Sequence, residues 1–254
     1  MLADRIGRLL GATTLAAVAA SVVVWGAAPA AAQARPIHPG DTVTMSGVTC
    51  EVGFILKHKK VRYVAVPASC AGTDDGAPTN GCEEAQVPYG SRAHIQGALH
   101  TARLVYSSFT TMQARGSTAA NRCASNDMVL LRLNKHDWKR VSPGVPGSSG
   151  PTATTHHPPA QHSSLSVLLQ TTASAIAMAT SDNGWQHALA VEAAVQKANV
   201  GAPVMTPQGH AVGMLSAIPG TGPFGTSAAF DLHRELQFLH TVHGFHHVTL
   251  MHSH

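Results

Sequence analysis

Charged side chains are scarce in this sequence: they make up 12% of its 254 residues, and no long run of one sign occurs. The formal net charge is +4, and the densest basic stretch is the short segment KHKK at residues 57–60. A surface that binds nucleic acid normally carries a denser stripe of Lys and Arg, so the composition argues against a nucleic-acid partner. Gly, Ala, Ser, Thr and Pro are frequent instead, which is typical of a loop-rich, secreted β protein.

Cysteines are also few, and all four lie in the first half of the sequence: Cys50, Cys70, Cys82 and Cys123. An even number in a secreted chain favours two disulfides, although the count alone leaves three connectivities open. A zinc site is the alternative, but no C-x-x-C spacing supports it.

Only the N-terminus contains a hydrophobic run of membrane-spanning length. Residues 1–8 are basic on balance, residues 9–28 are almost wholly apolar, and residues 29–34 are small and rich in Ala. This order, with an Ala-x-Ala motif at its end, predicts a secretory signal peptide over residues 1–34. The other interpretation is an uncleaved membrane anchor, because the apolar stretch is about 20 residues long. Once the signal is removed, we expect no association with a membrane.

After this segment the sequence alternates short apolar runs with turn residues, which predicts an all-β chain. Residues 143–164 break the pattern, since Pro, Gly, Ser and Thr dominate there. Such a segment buries little apolar area and is expected to be an exposed linker between two halves, residues 35–142 and residues 165–230. The Ala-rich residues 188–197 are ambiguous. Propensity favours a helix, but we expect a strand because a Gly and a Pro follow soon after.

Near the end of the sequence, apolar residues recur at helical spacing. Asp231 is a candidate N-cap, and Gly244 is a candidate for the first residue beyond the helix C-cap. The pattern predicts a helix over residues 231–244, followed by a His-rich tail over residues 245–254.

Three segments carry a resemblance to a known family: VPASC at residues 66–70, NDMVLLRL at residues 126–133 and KANVGAPV at residues 197–204. In order and spacing they resemble the trypsin/chymotrypsin-like serine proteases. The corresponding family segments hold a histidine before a cysteine, an aspartate before an apolar strand, and a serine in a Gly-Asp-Ser-Gly-Gly-Pro-Val loop. The resemblance covers about residues 48–239. It implies an all-β fold of two antiparallel β-barrels joined by the linker, with a short C-terminal helix.

The resemblance also selects one disulfide pattern. The family joins the cysteine beside its histidine to a cysteine near the start of the preceding strand. This implies a Cys50–Cys70 disulfide and leaves Cys82–Cys123 as the second.

The resemblance places Asp127 at the aspartate position of the catalytic triad, Ser69 at the histidine position and Val200 at the serine position. In this chemistry a histidine takes the proton of the serine hydroxyl, and an aspartate orients the histidine. The hydroxyl of Ser69 has no basic form at neutral pH, and Val200 has no nucleophilic atom. Loss of one triad member costs on the order of a million-fold in rate, or about 8 kcal/mol of barrier. We therefore expect Asp127 to be vestigial and the chain to be inactive as a protease.

The oxyanion hole implied by the resemblance would use the backbone N–H groups of Ala198 and Val200. The family has glycine at the first position, where Ala198 adds a Cβ atom that restricts the backbone. It has aspartate at the position of Asn199, so any ion pair of that carboxylate is lost. Residues 216–218 occupy the substrate-binding strand, where Ile218 is expected to narrow the pocket.

Histidine is abundant, with 17 residues, and it crowds the C-terminus. His240, His243, His246 and His247 are candidate ligands for Zn or Cu, because imidazole binds both metals and His240 and His243 lie one helical turn apart. The alternative is a solvated tail whose first histidines sit favourably at a helix C-terminus. No H-E-x-x-H motif accompanies the cluster, and no other cofactor is expected.

These observations support one leading function and two alternatives. The leading hypothesis is a secreted, catalytically inactive protease homologue, a monomer that binds an extracellular protein or peptide through its cleft or loops. The first alternative is an active serine endopeptidase or other hydrolase with a non-standard site. His187 and His210 are the histidines closest in sequence to the degenerate loop, and we expect each to be an ordinary strand or turn residue. The second alternative is a His-rich extracellular metal-binding protein.

Overall fold

The chain is described from residue 35 onwards by a computed structural model, which covers residues 35–73, 80–148, 150–169, 171–216 and 226–253. The predicted signal peptide over residues 1–34 therefore lies outside the described residues. Ile218, which was expected to narrow the substrate pocket, also lies outside them. Of the segment 216–218, Ser216 alone is described.

The first half of the chain forms an antiparallel sheet. Its strands are β1 (Thr42–Met45), β2 (Val48–Glu51), β3 (Phe54–His58), β4 (Val61–Val66), β5 (Arg92–Ile95), β6 (Ala102–Ser107) and β7 (Val129–Arg132). They pair in the order β3-β4-β7-β6-β5-β1-β2. In β5 every second residue is buried, because successive side chains of a strand point to opposite faces. In β7 the first three of four residues are buried, as its continuous apolar run predicts.

The second half forms another sheet, which closes on itself. Its strands are β8 (Ala153–Thr154), β9 (Ser164–Leu168), β10 (Thr172–Ser181), β11 (Gln186–Val191), β12 (Pro203–Met205), β13 (His210–Leu215) and β14 (Thr226–Asp231). The pairing order is β12-β9-β10-β11-β14-β13, and β12 also pairs with β13. These six strands therefore make a closed antiparallel barrel, and β8 adds to β13 in parallel.

The Ala-rich segment 188–197 is a strand only in its first part. Strand β11 ends at Val191, and a 3₁₀ turn at Lys197–Asn199 lies at the other end of the segment. The strand forms because alternate residues of β11 are buried and its backbone pairs with both β10 and β14. A helix over residues 188–197 would give up this backbone pairing with two neighbouring strands.

The expectation that residues 143–164 form an exposed linker is partly wrong. Val145 is 3% exposed, and the segment contributes β8 to the second sheet. Backbone bonds hold it there, since the N–H group of Thr152 donates to the carbonyl of Gly209 at 2.8 Å and that of Thr155 donates to the carbonyl of Ala211 at 2.9 Å. A Pro/Gly-rich segment can lie against a barrel when its backbone groups are paired in this way.

Three α-helices occur within the described residues: α1 (Ser108–Ala114), α2 (Ala120–Ser125) and α3 (Leu232–Leu239). The predicted N-cap of α3 is confirmed, because the Oδ1 atom of Asp231 accepts the N–H of Arg234 at 2.8 Å. The helix ends at Leu239, earlier than the predicted residue 244. Turns replace its last part, and Gly244 adopts a φ of +89°, in the left-handed region that glycine favours.

Part of the C-terminal segment contacts the first sheet, so the alternative of a solvated tail does not hold for Val248 and Leu250, whereas His246, His247 and His252 are exposed. Strand β15 (Thr249–Leu250) pairs antiparallel with the edge strand β3. Val248 is fully buried, and Leu250 is 4% exposed. Burial of these two apolar residues at a sheet edge explains why the His-rich sequence folds back.

Two hydrophobic clusters organise the structure, one under the first sheet and α3 and one inside the closed barrel. Two disulfides, Cys50–Cys70 and Cys82–Cys123, both lie in the first half. The predicted fold, mainly antiparallel β in two barrel-like halves with a short C-terminal helix, is confirmed.

Candidate active site

The structure brings together the three segments that the sequence singled out. Gly201 follows Val200 and has a φ of +99°, and a Cβ atom there would lie 2.2 Å from the carbonyl oxygen of Glu51 and 3.1 Å from Cδ of Pro67. The backbone N–H of Glu51 also donates to the carbonyl of Val200 at 2.7 Å. The loop between β11 and β12 is thus docked beside the segment that contains Ser69.

Ser69 and Asp127 are in direct contact. The Oδ1 atom of Asp127 accepts the backbone N–H of Ser69 at 2.8 Å, and its Oδ2 atom accepts the Ser69 hydroxyl at 3.2 Å. Asp127 is 1% exposed, and this burial raises the pKa of its carboxyl to about 6 although the two bonds from Ser69 oppose the change. The carboxylate therefore has donors on both oxygens and holds a hydroxyl where the resemblance expects an imidazole.

Glu235 is a buried acidic residue of this region that the sequence analysis missed. Its Oε1 atom accepts the backbone N–H of Asp127 at 2.5 Å, and the side chain is fully buried on α3. Burial raises the pKa of Glu235 well above its ordinary value, and the negative charges of Asp127 and Asp231 raise it further. The available signal was its position, because Glu235 lies on the same helix face as Leu232 and Leu239.

The loop that corresponds to the oxyanion hole is folded into a tight turn. In the 3₁₀ turn Lys197–Asn199 the N–H of Val200 donates back to the carbonyl of Lys197 at 3.3 Å. The Oδ1 atom of Asn199 accepts the N–H of Gln196 at 2.9 Å, which fixes the start of the turn. Val200 itself is 6% exposed. Its N–H group is therefore used inside the turn instead of pointing at a bound carbonyl.

Asn199 has a partner that the sequence did not identify. Its Nδ2 atom donates to the Oε1 atom of Glu51 at 2.9 Å, across 148 positions of the sequence. Burial raises the pKa of Glu51 to about 7, while the bond from Asn199 acts in the opposite direction. Within the described part of the chain, the second oxygen of Glu51 has no hydrogen-bond partner.

A cavity of about 560 Å³ lies next to this pair. Its walls include Glu51 and Gln96 from the first sheet and Leu168 from the second, with Gln196 and Ala198 from the loop. The residues that line it thus come from both halves of the chain, and they combine polar and apolar groups.

Neither His187 nor His210 joins Ser69 and Asp127. His210 is exposed at the start of β13, and His187 is fully buried in β11, so both are strand residues as predicted. The Nε2 atom of His187 lies 2.8 Å from Oδ2 of Asp231, and its Nδ1 atom lies 3.1 Å from the Thr180 hydroxyl. This histidine links β10 and β11 to the N-terminus of α3.

The four tail histidines that were candidate metal ligands do not converge on one point. The rings of His243 and His246 are 6.2 Å apart between centroids, and those of His246 and His247 are 6.5 Å apart. The Nε2–H of His240 donates to the carbonyl of Val248 at 2.7 Å. Among the residues that the structure describes, no group of three or more His, Cys, Asp or Glu side chains is placed to hold a metal ion.

Comparisons with known proteins agree with this geometry. Residues 109–236, just over half of the chain, match the peptidase family model described as hepatitis C virus NS3 protease. The fold is similar to Thermobifida fusca Protease A at 16% identity and a TM-score of 0.56, covering 85% of this chain and 98% of that one. It is also similar to a Nocardiopsis protease at 13% identity and a TM-score of 0.51, covering 84% of this chain and 98% of that one. A third similar structure is a glutamic acid specific serine protease, at 13% identity and a TM-score of 0.54, covering 85% of this chain and 100% of that one. No curated protein gives a significant sequence match.

Proposed function

Because the chain belongs to the trypsin/chymotrypsin-like serine proteases, in the family whose model is described as hepatitis C virus NS3 protease, we propose that it is a secreted member that has lost hydrolytic activity. In this role it binds an extracellular protein or peptide without cleaving it. The observation that carries the proposal is the contact between Ser69 and Asp127.

In this contact Ser69 cannot perform the proton transfer of the family. A general base must accept the proton of the nucleophile, but the Ser69 hydroxyl donates its own proton to Asp127. A serine at this position cannot act as imidazole does, because its hydroxyl is not basic near neutral pH. The orienting role of Asp127 is thereby reduced to holding a neighbouring backbone N–H and hydroxyl.

The turn at Lys197–Asn199 supports the same proposal. Val200 supplies a buried isopropyl group at the nucleophile position, and its N–H is bonded to the carbonyl of Lys197. Stabilisation of an oxyanion requires donors aimed at the position where the charge develops. At Val200 this loop thus lacks a nucleophilic side chain, and one of the two implied oxyanion donors, the N–H of Val200, is bonded within the turn.

The cavity beside the loop supports a binding role. Its volume of about 560 Å³ falls in the range of ligand sites, roughly 300–1,000 Å³. Leu168 offers an apolar wall, and Gln96 and Gln196 offer amide groups that can pair with a peptide backbone. An extended peptide needs this mixture of apolar surface and hydrogen-bonding groups.

Secretion is part of the proposal and rests on two observations. The first is the signal-like sequence of residues 1–34, and the second is the pair of disulfides, which persist in oxidising compartments. Within the described residues, none of the helices has the length and apolar character needed to cross a bilayer. Expression with the native N-terminus, followed by N-terminal sequencing of the protein in the medium, tests secretion directly.

The loss of hydrolysis is tested with a fluorophosphonate probe and with casein, using an active trypsin-like protease as the positive control. We expect no adduct in the intact mass spectrum and no release of peptides. Stoichiometric labelling of any serine, or turnover that survives purification, would overturn the proposal.

One observation bears on the alternative of an active hydrolase, namely the chain of contacts from Thr180 through His187 to Asp231. It places a hydroxyl, an imidazole and a carboxylate in sequence, although His187 is fully buried. If turnover is observed, a Thr180→Val variant decides whether this trio performs it. Thr180 is exposed, so Val fits at this position, but the change removes a partner of the buried His187 ring, and urea unfolding of the variant checks that the fold is retained.

The binding role is tested by selecting peptides from a displayed library against the purified protein. Ala198→Trp fills the wall of the cavity, and Ala124→Trp, at an exposed position on α2, is the matched control. We expect the selected peptides to lose about tenfold or more in affinity for A198W only, since the added ring removes the pocket for an anchoring side chain. Equal affinity for both variants would place binding elsewhere.

A further inference from the structure

Four histidines from three separate parts of the chain line one small cavity beside α3. The cavity has a volume of about 260 Å³. Its walls include His156 from the inter-sheet segment (residues 143–164), His233 from α3, His240 at the C-cap of α3, and His252 near the C-terminus. Only His240 belongs to the set that the sequence suggested. Imidazole is a preferred ligand of Zn²⁺ and Cu²⁺, so the chemistry of the lining indicates a transition metal.

The spacing of two of these rings matches the spacing of two imidazoles on one metal ion. A metal–nitrogen bond of about 2.0–2.1 Å puts each ring centroid about 3.2 Å from the ion, so two ligands at 90–109° have centroids about 4.5–5.2 Å apart. The rings of His156 and His233 are 4.8 Å apart between centroids and nearly perpendicular, at 79°. The rings of His243 and His246 are 6.2 Å apart, which is too far for this arrangement.

A nitrogen of His233 carries a lone pair that a metal can use. The side-chain amide of Gln237 donates to Nε2 of His233 at 2.9 Å, so that nitrogen accepts and is unprotonated. A metal ion that approaches Nε2 would displace an amide hydrogen bond on an exposed side chain. Such a bond is weak, since its net contribution is about 1 kcal/mol.

His240 is oriented as metal-bound histidines usually are. Its Nε2–H group donates to the backbone carbonyl of Val248 at 2.7 Å, which fixes the ring and leaves the lone pair on Nδ1. Ligating histidines in proteins characteristically donate their other N–H to a carbonyl or carboxylate in this manner. His240 thus already makes the kind of hydrogen bond that orients a metal-binding histidine.

We propose that this cavity binds one Zn²⁺ or Cu²⁺ ion, with His156 and His233 as the preformed pair of ligands and His240 or His252 joining on binding. Among the described residues no three donors already converge, so the third ligand must rotate towards the ion. His252 is exposed, so its side chain is free to rotate towards the ion. The site is separate from the proposed peptide-binding cavity, which has none of these histidines in its walls.

Calorimetric titration of the untagged protein with Zn²⁺ and Cu²⁺, purified without a metal-affinity step, tests the proposal. We expect one ion per chain at about pH 7.5, and an affinity at least about tenfold weaker in H156Q/H233Q. The variant H243Q/H246Q is the matched control, because it removes two histidines whose rings are too far apart, and its affinity should stay within about twofold of the parent. Electron paramagnetic resonance of the Cu²⁺ form should show coupling to at least two imidazole nitrogens.

Three results would overturn the proposal: no binding to the parent protein, unchanged affinity in H156Q/H233Q, or loss of affinity in H243Q/H246Q only. Urea unfolding of each variant without metal checks that the fold is intact. If H156Q/H233Q fails to fold, the single variant H156Q replaces it, because His156 is exposed and tolerates substitution. Its affinity should still fall several-fold, and an unchanged value would count against the site.

Discussion

The titration of Asp127 tests how much burial of its carboxyl group destabilises the native protein. Burial raises the pKa of its carboxyl from 3.8 in an exposed chain to about 6 in the native state. Between these two values the native protein keeps a proton that the unfolded chain has released, so native stability falls as pH rises through this window. A difference of about two pH units corresponds to about 3 kcal/mol.

The substitution Asp127→Asn removes this titration and keeps the local geometry. The amide oxygen of Asn can accept the N–H of Ser69, and its NH₂ group can donate to the Ser69 hydroxyl, so both contacts persist with one donor reversed. At about pH 4 the variant and the parent should have similar free energies of unfolding. At about pH 8 the variant should be more stable by up to about 3 kcal/mol.

Urea unfolding at a series of pH values gives both free energies, with equal m-values as the check on two-state behaviour. The control is Ser69→Ala, which removes one donor from the carboxylate and should destabilise the protein at about pH 8 by about 1.5–3 kcal/mol. A difference between D127N and the parent that does not change with pH would refute the reasoning, as would a less stable D127N at high pH.

Three further predictions concern stability, each measured by urea unfolding. Gly201→Ala should lower the free energy of unfolding by about 3 kcal/mol, because φ is +99° and the new Cβ would lie 2.2 Å from the Glu51 carbonyl oxygen. Its control is Gly47→Ala, which should lose only about 1 kcal/mol, because φ is +86° but no atom lies within 4 Å of the new Cβ. Equal losses in the two variants would contradict the argument that the Glu51 carbonyl is too close. The double variant C82S/C123S should lose about 4 kcal/mol, since this disulfide closes a separation of 41 residues, and an unchanged midpoint would show that it constrains little. Burial raises the pKa of Glu51 from 4.5 to about 7, so the free energy of unfolding should decline as pH rises between these values. Glu51→Gln should abolish this decline, and a variant that keeps it would show that another group causes it.

Local sequence signals were sufficient for the elements that depend on neighbours along the chain. The N-cap at Asp231 was visible because a capping side chain bonds to an N–H only three residues ahead. The continuous apolar run before Arg132 likewise indicated a buried strand, and β7 is one. The contact of Ser69 with Asp127 spans 58 positions, but the spacing of family segments already placed both residues at one site.

The features that the sequence did not reveal depend on groups that are far apart in the sequence. Glu235 lies on the apolar face of α3, but its partner, the N–H of Asp127, is 108 positions away in the sequence. The bond from Asn199 to Glu51 crosses 148 positions. The pairing of His156 with His233 depends on how the inter-sheet segment lies against α3, and composition alone suggested only an exposed linker. Side-chain type can indicate such contacts only when the fold is known.

The pairing of β15 with β3 has a consequence for how this chain is made. Strand β3 lies in the first half of the sequence, and its outer edge is covered by β15, which is made much later. The first sheet therefore keeps an open edge until β15 has been made, and an uncovered edge strand is a template for pairing with other chains. A chain stopped before Thr249 would contain both disulfides and almost every described strand, yet it would expose this edge permanently, so β15 protects the folded sheet from self-association.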